Sequence, residues 1–261
     1  MTTETVLITG ASAGIGWELA RQFAADKSNL VLVARRRERL EELAAELRKQ
    51  HGVEALVVPA DLGRADAPQA IADQLVRDGL AIDVLVNNAG FGALGPVAEL
   101  DVGRQLEMIQ VNVAALTHLT RLLLPAMIER RRGGVLNIGS TAAFQAGPFM
   151  AVYYATKAYV VSFSEALADE LASTGVTVTC LCPGPTVTEF AETAKMGDAL
   201  LFKLQTMTAQ AVAQIGYRAF RRGKLLVVPG WINYLGATGA RLVPRSVARG
   251  IARRLQWNLS D

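Results

Sequence analysis

Cysteine and histidine are nearly missing from this 261-residue chain, which holds two of each. His51 and His118 lie in unrelated segments with no Cys, Asp or Glu at ligand spacing, which argues against a metal site. Cys180 and Cys182 stand too close along one apparent strand to bridge each other, a usage that suits a reduced, cytoplasmic interior. No uninterrupted apolar run reaches bilayer length, so no membrane span is expected. The opening MTTETVLITG has neither a basic head nor an apolar signal core, so export is not expected. A large net charge is lacking too. The formal value is +3, and bases are interleaved with acids through most of the chain, which speaks against nucleic-acid binding. With no linker, repeat or low-complexity segment, a single domain over residues 1–261 is the simplest organisation, large enough to bury a core unaided.

What is present is a regular alternation. Apolar runs at 5–9, 29–34, 55–61, 82–90, 134–140, 176–184 and 224–230 read as strands that are apolar throughout. Helical patterns separate them, including WELARQFAA, RRRERLEELAAELRKQHG, PQAIADQLVRDG and the spans 101–131 and 153–173. Such strands, each followed by a helix, indicate an α/β fold: one doubly wound parallel sheet with helices on both faces. The stretch from about 185 to 223 shows no strand signal and is expected to be an insertion beside the sheet. Ligands of such sheets bind at the carboxyl ends of the strands. TGASAGIG, ARRR, AD, NNAG, IGS and CPGP each follow a strand, so they should gather along one edge.

Gly10, Gly14 and Gly16 let the first turn approach a ligand closely and leave the next helix N-terminus open to a pyrophosphate. Their spacing is not G-x-G-x-x-G, and a tight turn alone would use the same residues. After the second strand, where a carboxylate would mark NAD, stand Arg35, Arg36 and Arg37, whose guanidinium groups suit the phosphate of NADP. Arg37 reads as the start of a solvated helix, and Arg35 as the main phosphate candidate. Asp61 can accept from an adenine amino group or cap a helix. Asn88, Ala89 and Gly90 offer a small-residue gap for a ribose, or a turn.

In YYATK, Tyr153 and Lys157 are four residues apart on one helix face, while Tyr154 points about 100° away. A free phenol titrates near 10, and a neighbouring ammonium beside a nicotinamide cation would lower it. Ser140, closing the fifth strand, can polarise a carbonyl beside that tyrosine, or serve as a turn cap.

TGASAGIG, NNAG, Ser140, YYATK and PGPTVT resemble the short-chain dehydrogenase/reductase pattern in order and spacing, closely over about 5–190. The resemblance implies that Tyr153 donates the proton in reduction and Ser140 orients the carbonyl. It implies that Lys157 binds the nicotinamide ribose and that Asn112 holds a water beside it. Gly10, Ser12, Ala13, Ile15 and Gly16 would bind pyrophosphate and adenosine ribose, Asp61 and Leu62 the adenine, and Asn88 to Gly90 the ribose. Pro183, Gly184, Thr186 and Thr188 would meet the nicotinamide end, together with Tyr153 and Lys157. Arg35 and Arg36 resemble the NADP-preferring branch, so NADP(H) is expected over NAD(H). Ala13 departs from the second basic residue that many such members carry.

The expected activity is interconversion of an apolar carbonyl and its alcohol, with a pocket closed by 142–152 and 185–210. Phe144, Phe149, Met150, Phe190, Met196, Leu200, Phe202 and Met207 are its apolar candidates, and Lys195 and Lys203 the lone cations. A 3-oxoacyl-thioester reductase and a non-catalytic NADP-binding regulator are the alternatives, the latter commonly lacking the tyrosine or lysine. Family resemblance favours a homodimer or homotetramer. Arg245, Arg249 and Arg253 form a basic stripe within 245–257 opposite Val247, Ile251 and Leu255. It is expected to be a solvated helix face, with contact to an anionic membrane or an acidic carrier protein as the sharper alternative.

Overall fold

The computed structural model describes residues 3–189 and 206–257. Seven strands form one all-parallel sheet: β1 (Thr5–Thr9), β2 (Asn29–Ala34), β3 (Ala55–Pro59), β4 (Val84–Asn87), β5 (Gly133–Ile138), β6 (Val176–Leu181) and the edge strand β9 (Leu226–Val227). Their order is β3-β2-β1-β4-β5-β6-β9. The chain therefore reverses its winding between β1 and β4, and a crevice opens there at the carboxyl edge.

Alternating side chains of each strand supply two cores. Val6, Ile8, Leu30, Leu32, Val84 and Val86 pack on one face. There they meet α1 (Gly14–Ala25), α2 (Arg37–His51) and α7 (Ala209–Arg221) through Leu19, Phe23, Leu40, Leu43, Val212 and Phe220. Leu7, Val31, Val33 and Leu85 pack on the other, against Ile71, Leu75, Leu119, Met127 and Leu167. Those come from α3 (Ala67–Arg77), α5 (Leu116–Glu129) and α6 (Ala151–Glu170).

The expected strands at 5–9 and 29–34 match in both bounds. Several others end early, 82–90 shrinking to 84–87 and 176–184 to 176–181, because their last residues leave the ladder to form loops over the crevice. The described part of 185–223 holds a helix and, where no strand signal was read, two short strands. Its start carries β7 (Thr186–Val187), which pairs in parallel with β8 (Met207–Thr208), and its end is α7, seated on α1 as part of the sheet's covering layer.

The span 101–131 is also not uniform. α4 (Val102–Ile109) and α5 are joined by a π-helical turn at Gln110–Ala115. By length and composition Val102–Glu129 is apolar enough to cross a membrane, which the sequence reading did not anticipate. Here Met108, Asn112, Ala115, Leu119 and Met127 of that span are buried within the fold. After β9 the chain adds α8 (Trp231–Leu242) and α9 (Arg245–Trp257).

Candidate active site

A cavity of about 800 Å³ runs along the crevice from the β1–α1 loop to the start of α6. Gly10, Ser12, Ala13, Gly14 and Ile15 form one end. Gly10 and Gly14 adopt φ of +66° and +59°, a left-handed backbone that glycine reaches without Cβ strain. Ala13 caps α1 with no side-chain hydrogen bond, and the first turn holds no acid. Open amide donors and a positive helix end remain to face an anion.

Gly16 does not line the cavity. A Cβ there would collide with Asn88 Nδ2 and the Gly10 carbonyl, so its role is close packing. Asn88 is the matching staple, donating from Nδ2 to the carbonyls of Thr9 (2.9 Å) and Gly10 (3.1 Å). Its backbone, with Ala89, Gly90 and Phe91, continues the wall. Arg35 lines the cavity, with a long 3.8 Å approach to Glu107. Arg36 instead reaches Ser12 Oγ at 3.3 Å and Glu189 at 2.8 Å, bracing the loop. Arg37 pairs with Glu41 along the solvated α2. Asp61 accepts the Gly63 amide at 3.0 Å, a turn rather than a helix cap, and the Leu62 side chain is buried in the second core. Neither lies on the cavity wall.

The other end brings Ser140, Tyr153 and Lys157 together from two elements. Ser140 shares a side-chain hydrogen bond with Tyr153 and also accepts the Ala142 amide at 3.1 Å, so it is both turn cap and site residue. Burial pushes the Tyr153 phenol above its ordinary range, with the Ser140 hydrogen bond opposing that rise. Lys157 Nζ donates to the Ile138 carbonyl (2.8 Å) and lies 5.9 Å from the Tyr153 ring centre. Burial lowers the ammonium to about 8. In the unliganded fold, burial is the main influence on the tyrosine's acidity.

Asn112 sits in the π turn, behind the wall. Its amide takes the Phe91 N–H (3.1 Å) and donates to the Phe91 carbonyl (3.0 Å) and Thr156 (3.1 Å). A Cβ on Gly90 would lie 3.0 Å from Asn112 Oδ1 and 3.5 Å from Lys157 Nζ. Glycine there lets the loop pass both groups. Asn87 and Asn137, unassigned by the sequence reading, tie β4 and β5 together at 2.9 Å and continue to Ser164 on α6 at 2.9 Å, fixing the platform beneath the site.

Pro183, Gly184, Thr186 and Thr188 line the cavity as well. The expected substrate wall holds only in part. Met150 faces the cavity, whereas Phe144 packs beside Val160 and Cys180, Phe149 lies off the wall, and Met207 packs against the first core. Phe190, Lys195, Met196, Leu200, Phe202 and Lys203 lie outside the described residues. Unforeseen contributors are Tyr154, which also presses on Gly147, and the C-terminal helices, through Ile232, Asn233, Leu235 and Ile251. Their only sequence signal was a mostly apolar, acid-free stretch after the last strand.

The family model for short chain dehydrogenases matches residues 4–198. The chain belongs to that family. The ketoacyl reductase HetN of a Nostoc species is 36% identical over 70% of this chain. The match covers 64% of HetN, and the chain spans less than two thirds of the other leading curated relatives too. A solved short-chain dehydrogenase from Sphingobium yanoikuyae in complex with NADPH is 34% identical, with a TM-score of 0.83 over 92% of this chain and 94% of that one. The bulky-bulky ketone specific alcohol dehydrogenase from Comamonas testosteroni is 29% identical, with a TM-score of 0.79 over 93% of each. This short chain dehydrogenase thus carries the NAD(P)-binding Rossmann-like fold, its glycine loop open along one end of the cavity and its Ser–Tyr–Lys cluster at the other.

Proposed function

We propose that the protein is an oxidoreductase that reduces an apolar ketone or aldehyde to its alcohol, and runs the reverse reaction, with NADPH preferred. The observation that carries this reading is the convergence of Ser140, Tyr153 and Lys157 at one end of a cavity that begins at an uncapped helix N-terminus. A nicotinamide dinucleotide held by the glycine loop, the Asn88–Gly90 backbone and Thr186–Thr188 would supply the hydride. The chain's own residues would handle the proton. Ser140 and Tyr153 would hydrogen-bond the carbonyl oxygen, and the Tyr153 phenol would give up its proton as negative charge develops there. Lys157 would steady the phenolate as an ammonium. Asn112, next to Gly90, would hold a water through which a proton returns by way of the lysine.

The NADP preference is supported by the lack of any acid at the end of β2 and by Arg35 on the cavity wall. The apolar substrate is supported by Met150, Ile232, Leu235 and Ile251 on the cavity wall. A 3-oxoacyl-thioester reductase is the second reading, supported by the HetN relative's name. A non-catalytic regulator is disfavoured by the retained Ser, Tyr and Lys. A homodimer or homotetramer is supported by the apolar face that Val102, Leu106 and Ile109 expose on α4. A cytoplasmic location is supported by the two free thiols.

The test is NADPH oxidation screened over ketones, aldehydes and acyl thioesters, with NADH controls. Bulky apolar ketones should turn over fastest with NADPH. Tyr153→Phe should bind NADPH normally yet fail to turn over; retained turnover in that variant overturns the assignment.

A further inference from the structure

Among the described residues, eight of the fifteen exposed large apolar side chains lie between Trp231 and Ile251. Trp231, Leu235 and Leu242 fall within about 40° of one another around α8. They are 71%, 58% and 80% exposed, and Tyr234 is exposed beside them. On α9 the buried side is the small pair Ala248 and Ala252, not the Val247–Ile251 stripe, which is exposed. Arg245, Arg249 and Arg253 are exposed on the other flank of that pair. Among the described residues no ion pair engages Arg245 or Arg249. The sequence sharpens this. From 199 to 260 there are ten Lys or Arg and no Asp or Glu, whereas the rest of the chain holds seventeen against 24 acids.

We propose that this face of α8 and α9 docks on an anionic lipid surface, with the mouth of the cavity turned towards the lipid. Tryptophan, tyrosine and leucine suit the headgroup–acyl boundary, and arginines suit the anionic headgroups around it. Both halves of the patch are used at once by that partner. A second copy meeting this face across a two-fold axis would set one arginine stripe against the same stripe. An acidic protein would match the arginines and leave Trp231 and Leu242 without an apolar partner. Ile232, Leu235 and Ile251 belong both to the exposed face and to the cavity wall. An apolar carbonyl dissolved in lipid would therefore enter without crossing water, a corollary that rests on the function proposed above; the docking itself does not.

The experiment is flotation of the full chain with vesicles of phosphatidylcholine alone, or of phosphatidylcholine with phosphatidylserine. Wild type should float with the anionic vesicles and release at high salt. Arg245→Gln/Arg249→Gln should weaken partitioning roughly 30-fold, as expected for two arginines near an anionic surface. Trp231→Ser/Leu242→Ser should weaken it at any salt. Both variants keep the cavity wall, so their turnover of a water-soluble ketone should match wild type, and circular dichroism checks folding. Equal partitioning to both vesicle types, or variants that float like wild type, overturns the proposal. So does a fall in lipid-free sedimentation mass in the Trp231→Ser/Leu242→Ser variant without vesicle binding, which would make the face a contact between copies. Capture of an acidic carrier protein in place of vesicles overturns it likewise. If wild type reduces no carbonyl, the functional reading fails while flotation still decides the docking.

Discussion

One wall of the cavity is made of strand ends and the loops that leave them; the opposite wall is made of α8 and α9. In the first, amide side chains brace the loops and strands from behind. Asn88 bonds the glycine loop, Asn112 clamps Phe91, and Asn87 and Asn137 brace the strands below. In the second, Gly236, Gly239 and Gly250 have open space where a Cβ would be, and large apolar side chains face outwards. A rigid wall suits groups that must hold a reacting atom within a fraction of an ångström, whereas a loosely seated one can admit substrates of varied shape.

The largest effect that would sharpen this contrast belongs to the rigid wall. Tyr153→Phe should lower turnover about 10²–10⁴-fold, the usual contribution of a general acid. Tyr154→Phe should stay within a few-fold of wild type, since Tyr154 offers packing against Gly147 rather than a proton. Steady-state kinetics on one ketone decides both, and an equal loss in the two variants breaks the assignment.

Next comes pH. Lys157 in the unliganded fold holds its proton only up to about 8, against an ordinary value of 10.5. Reduction should therefore fall as pH rises through about 8. Stability should move the other way. Between those values the unfolded chain binds a proton that the folded one has released, so stability climbs with pH across that window. Urea unfolding of the apoprotein should show this slope, and Lys157→Met should lack it.

Smaller effects compare the walls directly. Gly16→Ala should cost about 1–3 kcal/mol by overpacking against Asn88 and the Gly10 carbonyl. Gly236→Ala, on the opposite wall, should stabilise α8 by about 0.5–1 kcal/mol, because a helical glycine gains from a methyl group that meets nothing. Thermal unfolding of both, alongside KM for a small and a bulky ketone, tests the pair. Loss of stability in both variants would show that the two walls are equally tight.

The same contrast explains what could be read from the residues alone. β1 and β2 were legible because their apolar runs are unbroken and bounded by turn residues, Ser140 because a parallel sheet brings its strand ends to one edge, and the Tyr153–Lys157 pair because residues four apart share a helix face. β7, β8 and β9 were poorly legible because two-residue strands have no period. Arg36 could not be told from Arg35 in the sequence, because a single backbone step turns it onto Ser12 and Glu189 while Arg35 stays on the cavity wall. The helical wall was illegible for another reason: α9 seats alanines inward and leaves valine and isoleucine outside, reversing the usual apolar-in pattern.

Cys180 on β6 and Cys182 just past its end lie fully buried with their sulfurs 3.7 Å apart, and Gly139 leaves the room they fill. Their burial makes them a clock. A thiol-reactive dye can reach them only when the central sheet opens, so its rate of uptake reads the lifetime of the fold directly. Because Lys157 stands beside those sulfurs, whatever slows that dye also guards the lysine.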